Sequence, residues 1–167
     1  EYRHMLEERE LAPVSVTELT RTQGHNIVIG AFAALASYAL FHLITVFPLS
    51  WIRLFSQQSI SEFLVIQVIG AFLAAGGVVA SGLIADRIGR RNTLGSLAIA
   101  IGVFSGFAPT LLDGGRLGQD VFLLAGFLLL GLSYGQAAGA VTANFELKYR
   151  YTGAALTSDL AWIIGAA

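Results

Sequence analysis

The chain alternates between long apolar runs and short polar connectors, and this alternation predicts membrane-spanning helices. Four stretches, at positions 26–52, 61–85, 93–112 and 121–145, consist almost entirely of apolar and small residues. A fifth runs from position 152 to position 167. About 20 apolar residues in a helix cross a hydrocarbon core of about 30 Å, so we expect an all-α, multi-pass membrane bundle. Because the fifth stretch is too short for a full crossing, we expect the chain to be a fragment of a longer protein.

The composition agrees with this pattern and narrows the classes of protein. Of the 167 residues, 55% are hydrophobic and 13% are charged, which is atypical of soluble domains. The chain has no cysteine, which excludes disulfides and thiolate metal sites, and its histidines lack metal-ligand spacing. A net charge of −1 does not favour a nucleic-acid partner. The sequence shows no paired acids and no activated nucleophile, so we expect no enzyme activity, no cofactor and no metal.

The distribution of basic residues predicts the orientation in the membrane. With the start of the chain in the cytoplasm, the inside connectors hold eight lysines and arginines and the outside connectors hold two. The eight are Arg3, Arg9, Arg21, Arg87, Arg90, Arg91, Lys148 and Arg150, and the two are Arg53 and Arg116. Basic residues are enriched in cytoplasmic connectors. We therefore place residues 1–24, 86–92 and 146–151 inside and residues 53–62 and 113–120 outside.

The start of the chain is its only extended polar part. We divide the chain into a cytoplasmic segment, residues 1–24, and a membrane domain, residues 25–167, in the plasma or inner membrane of the cell. Ser15 and Glu18 have the spacing of a capping box, so we expect a short helix to lead into the first span. Pro48 predicts a kink near the end of that span.

Small residues recur every three or four positions in three of the predicted helices. They are Gly70, Ala74, Gly77 and Ser81 in the second helix, Gly95, Ala98, Gly102 and Gly106 in the third, and Gly131, Gly135 and Gly139 in the fourth. Helices in lipid associate through such residues, because small side chains let two backbones approach closely. These stripes predict close helix packing, with a sliding surface in a moving protein as the alternative.

Polar residues inside the spans are few, and each is costly in lipid unless it faces the bundle interior or water. Tyr38, His42 and Thr45 fall at i, i+4 and i+7 of the first span and share one face, which we expect to line a cavity. His42 can accept and donate hydrogen bonds or titrate near neutral pH. A simple hydrogen bond from His42 to a neighbouring helix is the alternative.

Two later polar positions are further candidates for a substrate or proton pathway. In the fourth span we expect Ser133 and Gln136 on a different side from the glycine stripe, where they would meet a solute. Asp159 is the one acid that we place inside a span, about two turns into the fifth helix, and an acid at such a position indicates function. The alternative for Asp159 is an interfacial site, where the positive end of the helix dipole favours a negative charge.

A tight elbow between the second and third spans is the most informative motif of the chain. Positions 82–91 read GLIADRIGRR. We expect Gly82 to permit a close approach of two helices, since it has no side chain. We expect Gly89 to take a left-handed conformation where the chain leaves the helix.

The charges of this elbow set a physical problem. Arg87, Arg90 and Arg91 keep the elbow in the cytoplasm. Asp86 lies at the C-terminal end of its helix, where the helix dipole disfavours a negative charge. Asp86 therefore needs a compensating partner, either these arginines or the positive N-terminus of a helix from another part of the protein.

The elbow resembles the loop signature of the major facilitator superfamily, in which glycine, three residues, Asp-Arg, one residue and Gly-Arg-Arg join two helices. All six fixed positions match: Gly82, Asp86, Arg87, Gly89, Arg90 and Arg91. The resemblance implies helices seven to eleven of a twelve-helix carrier, with the N-terminal half of the same carrier as the missing partner. It also implies two halves that rock around a central site, with Asp86 as a latch of the cytoplasmic ends. A basic loop that only fixes the topology is the alternative.

A second stretch narrows this resemblance. Arg150, Tyr151, Thr152 and Gly153, followed by Ala-Ala-Leu, are similar to the loop between the tenth and eleventh helices of the metabolite:proton symporters. That branch includes the proline/betaine and dicarboxylate carriers. Its members usually carry Glu-Leu-Phe-Pro ahead of this loop, whereas this chain has Ala-Asn-Phe-Glu at positions 143–146.

The two resemblances together imply a secondary active transporter. It would move a small polar metabolite, an organic acid or a compatible solute, by proton symport with alternating access, so its partners would be the solute, protons and the lipid bilayer. Two alternatives stay open: a non-transporting membrane scaffold or receptor, and a facilitator-superfamily carrier for another substrate class, such as a sugar or a drug.

Overall fold

The structure, a computed structural model, describes residues 15–56 and 59–166. This part of the chain is entirely helical outside its short connections. Its elements are α1 (Val16–Thr45), α2 (Phe47–Phe55), α3 (Ile60–Ile88), α4 (Arg90–Asp113), α5 (Gly115–Ala143), a 3₁₀ turn (Leu147–Tyr149) and α6 (Arg150–Ala166). Within the described residues, four segments are long and apolar enough to cross a membrane: Val16–Phe55, α3, α4 and α5. The predicted all-α, multi-pass fold is confirmed, while residues 1–14 of the predicted cytoplasmic segment lie outside the described residues.

The first span is broken where Pro48 predicts a kink. α1 ends at Thr45, and α2 begins at Phe47 with Pro48 in its first turn. Proline has no N–H to donate, and its ring clashes with the carbonyl of the residue four positions earlier, here Ile44. The regular helix is therefore interrupted at Val46, and a new nine-residue helix follows.

The predicted capping box at the start of α1 does not form. Ser15 precedes the helix in an extended conformation, but its side chain makes no capping hydrogen bond. The carboxylate of Glu18 accepts hydrogen bonds from Lys148 and Tyr149 instead. A tertiary contact has thus replaced the local one.

The turns between the later helices are much shorter than the connectors that we predicted at positions 86–92 and 113–120. Gly89 alone separates α3 from α4, and Gly114 alone separates α4 from α5. The charged residues continue the helices beyond the apolar runs, because a helix of 29 residues is about 44 Å long and extends past a hydrocarbon core of about 30 Å.

The glycine stripe of α5 packs directly on α3. A Cβ atom at Gly131 would overlap the backbone of Ala74, and a Cβ atom at Gly77 would lie 3.0 Å from the carbonyl oxygen of Leu128. Farther along, a Cβ atom at Gly135 would lie 3.1 Å from the carbonyl oxygen of Val78. The small residues of these two helices therefore bring their backbones into contact, as predicted.

The small residues of α4 behave differently. In the described part of the chain, a Cβ atom at Gly95, Gly102 or Gly106 would meet nothing within 4 Å, and Ala98 is exposed. The predicted packing of this stripe is therefore wrong for these elements. α4 uses another face against α5, through larger side chains such as Phe104, which stacks on Phe122 at 5.2 Å between ring centroids.

Candidate functional site

The predicted polar face of α1 is only partly a common site. Tyr38 is buried, with its ring centroid 4.9 Å from that of Trp162 on α6 and 5.9 Å from that of Tyr134 on α5. The ring of His42 lies 5.0 Å from Trp162. Thr45 does not join them, since its hydroxyl donates to the carbonyl oxygen of Phe41 at 2.6 Å.

These side chains form an aromatic cluster that consists of Tyr38, Phe41, His42, Tyr134 and Trp162. Trp162 is its centre, since three of the other four rings lie 4.9–5.1 Å from it. All five ring pairs of the cluster are edge-to-face or tilted, and edge-to-face contacts are a favoured arrangement of aromatic rings. The cluster joins α1, α5 and α6 in the middle of the bundle. Phe41, Tyr134 and Trp162 were not predicted as site residues, because an aromatic residue in an apolar run gives no sign of which helix it meets.

A cavity of about 320 Å³ adjoins the aromatic cluster. Its walls come from α1, α3, α5 and α6, and it is lined by Phe41, Ala74, Ala75, Val78, Leu130, Gly131, Tyr134 and Trp162. Ala74 lies at the middle of α3, so the cavity lies near the middle of the predicted membrane. Small side chains at positions 74, 75 and 131 leave this space, and the aromatic rings of Phe41, Tyr134 and Trp162 also line it.

Two buried polar atoms in the described part of the bundle lack a hydrogen-bond partner, and one of them belongs to His42. In the part of the chain that the structure describes, its Nε2 is buried and makes no hydrogen bond. The hydroxyl oxygen of Thr157 on α6 is also buried and makes no hydrogen bond within these residues. A buried polar atom without a partner costs about 1–3 kcal/mol, so these two atoms are unfavourable for the stability of this part of the chain taken alone.

We predicted that Ser133 and Gln136 lie on a different side of α5 from its packed glycine stripe, and this prediction is wrong. Both side chains are buried. Gln136 Nε2 donates to Ser81 Oγ on α3 at 3.2 Å, and the Ser133 hydroxyl donates to Leu130 O at 3.2 Å. Three residues at 100° each place Gln136 only about 60° around the helix from Gly139, and its long side chain covers the remaining distance.

Asp159 lies in the third turn of α6 and is exposed. Trp162 follows it by three positions, so the two side chains are neighbours on one side of the helix. It makes no hydrogen bond or ion pair within residues 15–56 and 59–166. In the same described ranges, no three histidine, cysteine or acidic side chains lie close enough together to hold a metal ion.

The elbow is a one-residue turn. Gly89 has φ = 84° and ψ = 145°, so the predicted positive φ is confirmed. Residues that carry a Cβ atom disfavour a positive φ. Its N–H donates to Ala85 O at 2.9 Å. On the far side of the turn, Asn92 Nδ2 donates to Ile88 O at 3.0 Å, and Thr93 Oγ1 donates to Gly89 O at 2.9 Å. Asn92 and Thr93 were not predicted, although polar residues one turn beyond a helix end are a usual source of such bonds.

The charged residues of the elbow differ in their contacts. Arg90 Nη1 donates to Gly139 O at 3.0 Å, near the C-terminal end of α5. Asp86, Arg87 and Arg91 are exposed and form no hydrogen bond or ion pair with the rest of the described chain. A Cβ atom at Gly82 would meet nothing within 4 Å, so the close helix approach predicted there has no partner among the described residues.

The second family loop lies at the start of α6. Arg150 is its first residue, Tyr151 is 89% exposed, and Thr152 is half-buried. Gly153 is buried under the ring of Phe145, since a Cβ atom there would lie 2.6 Å from Cδ1 of that ring. The glycine is therefore required for the tight fold of this loop.

A polar contact beside this loop ties α1 to the α5–α6 connection. Glu18 Oε1 accepts from Lys148 Nζ and from the Tyr149 hydroxyl, both at 3.0 Å. The hydrogen bond to Glu18 raises the pKa of Lys148 above its ordinary value. Deeper in the bundle, Asn144 Nδ2 donates to Asn26 O at 3.0 Å.

Known proteins that are similar to this chain are described as metabolite transport proteins. A Haemophilus influenzae protein named as a putative metabolite transport protein is 33% identical over an alignment that covers 93% of this chain and 38% of its own length. The Escherichia coli inner membrane metabolite transport protein YhjE is 32% identical, with 83% of this chain and 33% of its own length covered. A second Haemophilus influenzae protein of the same description is 29% identical. No protein-family model and no solved structure matches the chain.

These relatives are transporters and not enzymes. Their similarity extends over nearly the whole chain, which spans slightly more than a third of the length of the first of them. The helical fold with four candidate spans agrees with a portion of such a carrier. The chain is therefore homologous, over about a third of their length, to metabolite transport proteins of the major facilitator superfamily.

Proposed function

We propose that the intact protein is a secondary active transporter of the inner or plasma membrane, which moves a small polar metabolite by proton symport with alternating access. The observation that carries this proposal is the cavity beside the aromatic cluster. Four helices meet around it near the middle of the predicted membrane. Carriers built from two rocking halves bind their substrates at this depth, between the halves.

The chemistry of the cavity suits one side of a binding site for a small solute. Its volume of about 320 Å³ lies at the small end of the range for ligand sites, which are mostly apolar with a few well-placed polar groups. His42 and Tyr38 of the adjoining cluster offer such groups. We infer that the missing half of the carrier supplies the opposite wall, because this chain spans only about a third of its relatives.

The elbow supports alternating access. Asp86 is exposed at the C-terminal end of α3, where the helix dipole disfavours its charge. Arg90 donates a hydrogen bond to Gly139 O within this half of the carrier and makes no ion pair with Asp86. We infer that Asp86 meets the positive N-terminus of a helix in the other half and holds the cytoplasmic ends together in one of the two states.

Asp159 and His42 are the candidates for proton coupling within this chain. Both are ionisable groups within predicted spans, where such groups indicate a function by default. We assign them an auxiliary role, with the principal coupling groups in the missing half.

Uptake by the full-length protein in liposomes tests the proposal. Carboxylates, betaines and sugars are offered in turn, with a proton gradient and after its collapse by a protonophore. We expect accumulation of one class of solute that requires the gradient. Exchange that is indifferent to the gradient contradicts proton symport, and the absence of uptake for every solute class contradicts transport.

A further inference from the structure

A groove between α5 and α6 lies apart from the aromatic cluster and has no role in the proposed transport site. Its volume is about 530 Å³. It is lined by Ala138, Val141 and Thr142 of α5, by Leu147 of the 3₁₀ turn, and by Arg150, Tyr151, Ala154, Ala155 and Ser158 of α6. It therefore begins at the predicted cytoplasmic surface and runs into the membrane.

The polarity of the groove changes along its length. Its mouth is polar, since Arg150 and Tyr151 are the first two residues of α6 and both are exposed. Its floor is apolar and consists of small side chains, chiefly Ala138, Ala154 and Ala155. Ser158 follows Arg150 by eight residues, which corresponds to about 12 Å along the helix axis. The groove thus connects a cation at headgroup level with an apolar channel at acyl-chain level.

The positive charge of Arg150 is not compensated inside the described part of the chain, where it makes no hydrogen bond or ion pair. Two carboxylates of this region have other partners. Glu18 accepts hydrogen bonds from Lys148 and Tyr149, and Glu146 accepts one from Gln23 Nε2 at 3.3 Å. Asp159 lies nine residues farther along α6, about 14 Å deeper. The mouth of the groove is therefore a cationic site.

We propose that this groove binds an anionic phospholipid of the cytoplasmic leaflet. Arg150 holds the phosphate, Tyr151 lies at the level of the headgroup, and one acyl chain follows the alanine floor toward Ser158. Basic pockets between membrane helices on the cytoplasmic side recognise anionic headgroups, and tyrosine is enriched at this depth. The inference depends on the cytoplasmic orientation of residues 146–151 that the charge distribution predicts, and not on the identity of the transported solute.

Native mass spectrometry of the full-length carrier tests this site. Phosphatidylglycerol and zwitterionic phosphatidylethanolamine are titrated separately against the wild type, Arg150→Gln and Ala155→Phe. We expect phosphatidylglycerol to bind the wild type more tightly. Arg150→Gln weakens that binding about fivefold, the equivalent of ~1 kcal/mol for one basic residue near the surface. Ala155→Phe weakens it at least as much, since the ring fills the groove but leaves the charge in place.

Three controls make the result specific. Arg53→Gln removes an exposed arginine at the other end of the first span and is expected to leave phosphatidylglycerol binding unchanged. Arg150→Lys keeps the charge and is expected to restore most of the binding, which shows that the groove is folded. Glycerol 3-phosphate, which has the headgroup charge without acyl chains, is expected not to compete.

The proposal is overturned if either Arg150→Gln or Ala155→Phe retains the wild-type affinity for phosphatidylglycerol. It is also overturned if phosphatidylethanolamine binds equally well or if glycerol 3-phosphate competes as well as the lipid. A cross-link from Tyr151→Cys to another helix of the carrier overturns it as well, because a protein segment then covers the groove. Liposome uptake does not enter these readouts, so a failure of the lipid site and a failure of the transport proposal are separable.

Discussion

The guanidinium group of Arg90 donates a hydrogen bond of 3.0 Å to the carbonyl oxygen of Gly139. A Cβ atom at position 139 would lie 3.2 Å from both Cζ and Nη1 of that arginine, so even a methyl group there would crowd the guanidinium group. Gly139 is near the C-terminal end of α5, where a cation also complements the negative end of the helix dipole. The elbow is therefore fastened to α5 by a residue of the signature itself.

Gly139→Leu is expected to displace Arg90 and to destabilise the full-length carrier by about 1 kcal/mol, the usual worth of one hydrogen bond. Arg90→Gln should have a similar effect, and the double variant should be no worse than either single one, since both remove the same contact. Thermal unfolding in detergent measures the three variants. Additive losses would show that the two residues act independently.

Gly131→Ala is expected to destabilise the carrier by overpacking the contact between α3 and α5. Its Cβ would overlap the backbone of Ala74, which cannot move aside as a flexible side chain can, and overpacking of this kind costs about 1–3 kcal/mol. Gly102→Ala on α4 is the matched control, because a Cβ atom there meets nothing within 4 Å. Equal melting temperatures for the two variants would contradict the backbone contact between α3 and α5.

His42→Leu is expected to reduce solute uptake in liposomes at least tenfold with little change in the melting temperature. The substitution removes a buried nitrogen that has no partner in the described residues, so the fold loses no hydrogen bond, whereas a substrate would lose one. His25→Gln alters an exposed histidine on the same helix and should leave uptake unchanged. Normal uptake by His42→Leu would contradict a role of the His42 imidazole in the proposed site.

Asp86→Asn is expected to shift the carrier toward the state that is open to the cytoplasm and to slow uptake several-fold. The amide cannot supply the negative charge that a helix N-terminus would attract. Accessibility of single cysteines near the cytoplasmic ends of the helices measures the shift. Unchanged uptake together with unchanged accessibility would contradict the proposed role of Asp86 as a latch.

The helices were predictable because a span in lipid requires a long apolar run, and each run in this chain forms a helix. Their ends were not predictable from hydrophobicity. The residues around Asp86 and Arg116 are polar, yet they continue α3 and α5 into the aqueous boundary. A helix ends where its backbone hydrogen bonds stop, and at the elbow this is the positive φ of Gly89.

The candidate site was only partly predictable, for a related reason. The spacing of Tyr38 and His42 correctly placed them on one face of α1. The position of Trp162 against that face depends on how α6 lies across α1, which no pattern within one helix contains. The helical angle of Gln136 predicted a side chain away from α3. This prediction failed because the side chain is long enough to reach Ser81.

The single-residue joints at Gly89 and Gly114 have a mechanical consequence. Because one residue joins α3 to α4 and one joins α4 to α5, a displacement of one of these helices along the membrane normal also displaces the adjoining end of its neighbour. The long helical segment Val16–Phe55 differs, since its helix is irregular at Gln23 and interrupted at Val46, and these two positions are where this half of the carrier can bend.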